Sequence, residues 1–206
     1  MLTSAEVRWF FEGPIPADIE KWFGREGLTH HAAPREDHYL VFPAALGLGL
    51  KLREGRLEVK PLIKVLGVRN FAADATGNVQ VWEKWSDGDA AVMEFERLRA
   101  SCPDLWVTVV KERTLRKFSP GCDSLGEVDA GTVFLSEGCN AELTKITMNG
   151  ETHWSFAFEA FGDPSRAEDH VSRVAARVFS EAHRPHHPFS ANNSHSYPEW
   201  LERFAK

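Results

Sequence analysis

Polar and apolar residues alternate with a period of two along most of the chain, the pattern of strands whose two faces meet different surroundings. The alternation predicts strands at Ala5–Glu12, His38–Phe42, Leu46–Arg53, Arg56–Lys64, Val79–Ser86, Leu105–Lys117, Gly131–Leu135, Ala141–Met148 and Glu151–Phe161. Two junctions carry hairpin chemistry. Glu54-Gly55 separates two alternating runs, and Asn149-Gly150 is the dipeptide that best supplies the positive φ angles of a type I′ turn. Sequential strands are therefore expected to run antiparallel, in numbers sufficient for a barrel.

Helices are fewer, and each has a start signal. Pro16–Phe23 is short, Asp89 is placed to cap a helix running to about Arg99, and Asp163-Pro164 opens the longest helix. In that helix Val171, Val174, Ala175, Val178 and Phe179 form one apolar stripe, which predicts that it lies against the sheet. Ser196-Tyr197-Pro198-Glu199 reads as a capping box before Trp200, Leu201 and Phe204, so the C-terminus is expected to dock on the body. The connector before it, His183–His195, is rich in Pro, Asn, Ser and His. Residues 1–206 are read as one domain, with the C-terminal helix and docked tail spanning 164–206.

The hairpin Leu46–Lys64 is the most informative stretch. A two-residue turn sets Arg53 opposite Arg56, Lys51 opposite Glu58 and Gly49 opposite Lys60, all on one face. Leu48, Leu50, Leu52, Leu57, Val59 and Ile63 occupy the other parity without a charge. Two arginines directly opposite cost up to roughly 1 kcal/mol unless an anion or carboxylate lies between them. Lys111 and Arg113 share a parity, Glu142 sits with Thr144, and Glu6, Arg8 and Glu12 alternate against Val7, Trp9 and Phe11. One arrangement that accommodates these patterns is a curved antiparallel sheet, helices on its apolar outside and a charged concave face or tunnel within; the other is an open sheet whose charged face meets bulk water.

These residues resemble the CYTH superfamily of triphosphate tunnel metalloenzymes over about Ala5–Phe161. The resemblance rests on an N-terminal acidic strand, a short helix, the hairpin Lys51-Leu52-Arg53 to Glu58-Val59-Lys60, then Lys111-Glu112-Arg113 and an acidic strand pair ending at Glu159. It implies an α+β fold built on an eight-stranded antiparallel tunnel. It also implies phosphate binding by Lys51, Arg53, Arg56, Lys60, Lys111 and Arg113, and Mg2+ or Mn2+ held by Glu6, Glu58 and Glu159. Glu159 and Glu142 would be the catalytic carboxylates, one orienting the attacking water. The family's first-strand Glu-x-Glu-x-Lys reads Glu6-Val7-Arg8-Trp9-Phe10 here, with a cation in place of the second carboxylate and an aromatic ring in place of the lysine. That departure keeps a second reading open, a non-catalytic module of the same fold that binds an anionic metabolite or a protein.

Composition narrows the partners. The 206 residues carry a formal net charge of -6, which argues against a duplex nucleic-acid binder with a broadly basic surface. The stretch Tyr39–Leu50 is nearly uncharged but contains Pro43, Gly47 and Gly49 and is shorter than a spanning helix. No membrane partner and a cytoplasmic location are expected; the partner expected instead is a small anionic phosphorylated ligand. Cys102, Cys122 and Cys139 are widely spaced and read as packing residues. His183, His186 and His187 lack the spacing of a regular helical zinc pair. The seven tryptophans leave a third reading, a barrel that holds an apolar small molecule against Trp82, Trp85, Trp106 and Trp154.

Overall fold

The computed structural model describes residues 2–88, 90–120 and 125–204. Its strands are β1 (Leu2–Glu12), β2 (His30–His31), β3 (Arg35–Leu40), β4 (Leu48–Arg53), β5 (Arg56–Ala72), β6 (Ala75–Asp87), β7 (Trp106–Pro120), β8 (Leu125–Val128), β9 (Gly138–Met148) and β10 (Glu151–Phe161). The helices are α1 (Ala17–Phe23), α2 (Ala90–Ser101), α3 (Pro164–Phe179) and α4 (Tyr197–Glu202). Eight strands close a ring in the order β7-β3-β4-β5-β6-β1-β10-β9, and β9 pairs back onto β7. Every pairing between strands is antiparallel, and β2 and β8 add to β7 outside the ring. The fold is thus α+β with a closed eight-stranded antiparallel barrel.

Both hairpins form where the dipeptides require them. Glu54 and Gly55 have φ of 50° and 70° and set Arg53 opposite Arg56; Asn149 and Gly150 have φ of 52° and 81° and set Met148 opposite Glu151. The strand expected to end at Lys64 continues to Ala72, where Ala73-Asp74 turns the chain into β6. Register shifts between Leu62 and Lys64, Val65 and Gly67, and Asn70 and Ala72 break the alternation there and bend the long strand. The strand expected over His38–Phe42 starts three residues earlier, which brings Arg35 and Asp37 into the sheet.

Gly131–Leu135 is not a strand. Asp129 accepts from the Gly131 amide at 2.8 Å and the Thr132 hydroxyl at 2.6 Å, and its carbonyl accepts from the Val133 amide, so local turn bonds replace a ladder. The strand in this region is instead β8, pairing Leu125–Val128 with the end of β7. The expected cap Asp89 and Cys122 lie outside the described residues; Cys139 is buried, as a packing residue should be.

The principal core lies outside the barrel. Side chains of odd number on β1 and even number on β10 point outward, where Val171, Val174, Ala175 and Val178 of α3 are fully buried against them. Asp163 caps that helix by accepting from the Ser165 amide at 2.9 Å. Trp9 is the hub, with edge contacts to Phe71, Phe158, Phe179 and Phe189 at ring separations of 5.5–6.3 Å, and its indole donates to the Thr76 carbonyl at 2.8 Å. The close approach requires Gly77, because a Cβ there would come within 2.5 Å of both Trp9 and Val7.

A second apolar cluster closes one end of the barrel. Phe10, Tyr39, Val41, Val109, Ile146 and Met148 meet Trp200 and Leu201 of α4, with Phe10 stacked on Trp200 at 4.5 Å and 4°. The Ser196–Glu199 capping box forms as the sequence requires. The connector leading to α4 is pinned along its length. Phe189 exchanges backbone bonds with Asp74 and Thr76, and the His195 amide donates to the Arg8 carbonyl at 3.0 Å. The tail therefore crosses the barrel wall before α4 enters its end. No helix among the described residues is long and apolar enough to cross a membrane.

Candidate functional site

The other parity of the same strands faces a lumen of about 720 Å3. From the closed end towards the mouth, β1 lines it with Arg8, Glu6 and Ser4 and β10 with Glu159 and Phe161, while Phe10, Ser155 and Ala157 share their inward parity beneath the lumen floor. The β4–β5 hairpin contributes Lys51, Arg53, Glu58 and Lys60, and β7 contributes Lys111, Arg113 and Lys117. With Arg8, Arg35 and Lys84, these cations outnumber Glu6, Glu58, Glu142 and Glu159 in the lining, although the whole chain is acidic. The lumen therefore concentrates positive charge that composition alone conceals.

Three carboxylate centres organise the cations. On one wall Glu6 and Glu159 face each other across the β1–β10 ladder, and the Lys60 ammonium pairs with both, at 3.4 Å from Glu159. On another, Glu142 receives Arg8 at 3.0 Å and Arg113 at 2.9 Å. On the third, Asp37 meets Lys111 at 3.1 Å, Lys51 at 3.2 Å and Arg35 at 3.4 Å. Glu58 joins Lys51 at 3.2 Å and also pairs with Arg53, supplying the carboxylate that the opposed Arg53 and Arg56 call for. Lys111 also donates to the Tyr39 hydroxyl at 2.5 Å and lies 3.6 Å above the Tyr197 ring.

These surroundings set the protonation of each group. Burial would raise Glu142, but Arg113 and Arg8 outweigh it and hold the carboxyl far below its ordinary range. Burial likewise opposes the charge on Asp37, and Lys111, Lys51 and Arg35 more than compensate. Glu6 is lowered, its burial outweighed chiefly by Lys60, and Lys60 is raised against its own burial by Glu6 and Glu159. Glu159 goes the other way: burial pushes it up, Glu6 and Glu142 add like-charge repulsion, and Lys60 offsets these only in part. Burial dominates for two lysines, bringing Lys51 down to about 8 and Lys111 to about 7 despite the attraction of Asp37.

The structure brings Glu6, Lys51, Arg53, Glu58, Lys60, Lys111, Arg113, Glu142 and Glu159 to one lumen. Arg56 is the exception. It follows the turn at the hairpin tip, is exposed, and does not line the cavity. The three carboxylates expected to hold metal divide as well: Glu6 and Glu159 are together, whereas Glu58 is committed to Lys51 and Arg53. Among the described residues no three His, Cys, Asp or Glu side chains form a ready metal site. Of the four tryptophans considered for an apolar ligand, Trp82 alone lines the lumen; Trp154 is buried in the outer core and Trp85 is 43% exposed.

Sequence reasoning missed Arg35, Asp37, Tyr39 and Tyr197. The first three sit on alternate positions of Arg35-Glu36-Asp37-His38-Tyr39, a legible strand pattern once its start is moved forward. Nothing local marks Tyr197, which reaches the lumen because α4 plugs the barrel.

No protein-family model matches this chain, and no curated protein matches it. The solved structures similar to it include the following three. A conserved hypothetical protein from Pyrococcus furiosus has 12% identity and a TM-score of 0.43, covering 88% of this chain and 97% of its own. The PH1819 protein from Pyrococcus horikoshii OT3 has 13% identity and a TM-score of 0.49, with 97% and 99% coverage. The PH1012 protein from the same organism has 16% identity and a TM-score of 0.42, with 85% and 91% coverage.

Proposed function

We propose that the chain binds a short phosphoanhydride, of which triphosphate is the type, in a CYTH-like blind tunnel. The observation that carries the reading is the excess of cations lining the barrel lumen of an acidic chain. Glu142 serves two guanidiniums and Asp37 three cations, so the pairing leaves a positive surplus, and surplus charge in a partly desolvated cavity is repulsive until an anion enters. A linear polyphosphate has the charge density and the row of acceptor oxygens to engage several at once through charge-assisted hydrogen bonds. Lys51, Lys111 and Arg113 near the closed end and Lys60 nearer the mouth are the residues we assign to its oxygens, with Arg8 beneath them.

Metal-dependent hydrolysis is the second reading, and the Glu6–Glu159 pair favours it. Two facing carboxylates share one ammonium, so the local charge is short by one positive unit. Magnesium is commonly held by one or two carboxylates with substrate phosphates completing its shell, and this pair fits that pattern. Bound there, a divalent ion would polarise a phosphoryl oxygen as a Lewis acid. The chain's own contribution would be to hold the phosphates in line and to offer Glu159, the carboxylate most ready to take a proton, to the attacking water.

A thermal-shift titration with tripolyphosphate, with and without Mn2+, followed by phosphate release on the same samples tests both readings. Stabilisation rising with ligand concentration is expected from mass action. Release that requires Mn2+ and disappears in Glu159→Gln assigns hydrolysis, and stabilisation without release assigns a binding module. Absence of any shift overturns the proposal.

A further inference from the structure

Asp37 is an unusual residue for a barrel wall. It is fully buried, it does not itself line the lumen, and three lumen cations converge on it from three strands. Lys51 comes from β4 and Lys111 from β7, the strands on either side of β3, while Arg35 lies two residues before it on the same face. It lies opposite Arg53 and Val109 on the inward parity of β3, but its side chain is fully buried under its partners and is not among the groups that line the lumen. A buried carboxylate is costly unless paired, and here the pairing draws two lysines from neighbouring strands to one point.

We propose that Asp37 is the positioning residue of the phosphate site: a buried anion that aims Lys51 and Lys111 into the lumen and supports their charge against burial without touching the ligand. The inference rests on the phosphoanhydride reading above and adds to it the control of the site's charge. Around Lys111 stand Asp37, Arg35 and Tyr39 from β3, Arg8 from β1, Arg113 from its own strand and Tyr197 from the tail. Around Lys51 stand Asp37 and Tyr39 from β3, Glu58 from β5, Lys111 from β7, Arg53 from its own strand and Tyr197 from the tail. Asp37 is the carboxylate common to both lysines.

The sign follows from the surroundings. Burial brings Lys111 to about 7 and Lys51 to about 8, and the attraction of Asp37 is what resists a further fall. Both amines therefore lose charge as pH rises through the neutral range, and polyanion affinity weakens with them. Asp37→Asn keeps the shape and removes the anion, which moves the loss of charge to lower pH.

The test measures tripolyphosphate affinity by calorimetry from pH 6 to pH 9 in wild type and Asp37→Asn, together with the titration of the lysine amines in unliganded wild type by 15N NMR. Wild-type affinity should fall by about tenfold or more across this range, since each amine lost removes a charged contact. In Asp37→Asn the fall should begin at lower pH, with a deficit of about tenfold at pH 8 that shrinks on acidification. Asp37→Glu should recover part of the wild-type profile. A deficit that is the same at every pH, or no deficit, overturns the positioning role. So does a wild type whose lysine amines all titrate near 10, a result that holds even if Asp37→Asn does not fold. Wild type that binds no tripolyphosphate at any pH, while its two amines titrate low, overturns the phosphoanhydride reading on which the proposal depends.

Discussion

The two faces of β1 belong to one strand and obey opposite rules. Ala5, Val7 and Trp9 point outward into a close-packed aromatic and aliphatic layer under α3, where they are almost completely buried and carry no charge. Glu6 and Arg8 point inward, each balanced by charges from other strands: Lys60 for Glu6, Glu142 for Arg8. The outward face gains stability from burial. The inward face holds charges that burial opposes, tolerable because they are paired and useful because the pairing is incomplete. Period two lets the barrel keep both without compromise, since adjacent residues never share an environment.

The comparison is broken most severely from outside. Trp9→Ala should cost about 3–5 kcal/mol, the range for truncating a buried aromatic hub, and urea denaturation would read it directly. Tripolyphosphate affinity measured on the remaining folded protein should be unchanged, because no lumen group moves. A loss of affinity at preserved fold would mean that the two faces are coupled. From inside, Arg8→Ala should destabilise by about 3 kcal/mol, since it removes one of the two guanidiniums that neutralise the buried Glu142. Unlike Trp9→Ala it should also weaken tripolyphosphate binding, by about tenfold or more, so calorimetry beside denaturation separates the two kinds of damage.

That division also explains what could be read before any coordinates. Parity on the β4–β5 hairpin was sufficient to place Lys51, Arg53, Glu58 and Lys60 together, because the Glu54-Gly55 turn fixes register and register fixes face. The Asn149-Gly150 turn did the same for β9 and β10. Bulges hid the second half of β5, where the alternation fails, and Gly131–Leu135 mimicked a strand whose amides are taken by Asp129. Pairings between strands distant in sequence were the hardest to see. Asp37 with Lys111, or Phe10 under Trp200, depends on ring closure and on the path of the tail, neither of which leaves a local trace. Phe10, at an inward position of a strand that otherwise carries Glu6 and Arg8, is apolar because it packs under Trp200 in the plug.

Acid should separate the inward carboxylates from one another. Asp37 and Glu142 lie below their ordinary values, so their contribution is complete above about pH 4 and is lost as pH falls through their folded-state values. The urea midpoint should drop steadily between about pH 4 and pH 2. Glu159 has the opposite sign. Its carboxyl is raised, so its charged form costs stability once pH exceeds the folded-state value. Glu159→Gln should therefore raise the melting temperature at pH 7, by about 2 °C, with the advantage vanishing near pH 4. A lower melting temperature at pH 7 would show that its pairing with Lys60 outweighs burial and repulsion.

The smallest effect tests where the inward face ends. Arg53 and Arg56 are directly opposite in the hairpin, yet Arg53 lines the lumen and pairs with Glu58, while Arg56 stands exposed beside the turn. Facing positions share a side of the sheet, but the lining of the lumen includes Arg53 and Glu58 and stops short of Arg56. A fully solvated cation outside the lining is screened by salt and contributes little to a bound anion. Arg56→Ala should accordingly leave tripolyphosphate affinity within about twofold of wild type in 0.15 M salt, whereas Arg53→Ala should weaken it several-fold. Equal losses in the two variants would extend the proposed phosphate site to the tip of the hairpin and make the opposed arginines a receptor in their own right, with Glu58 holding the place of the ligand.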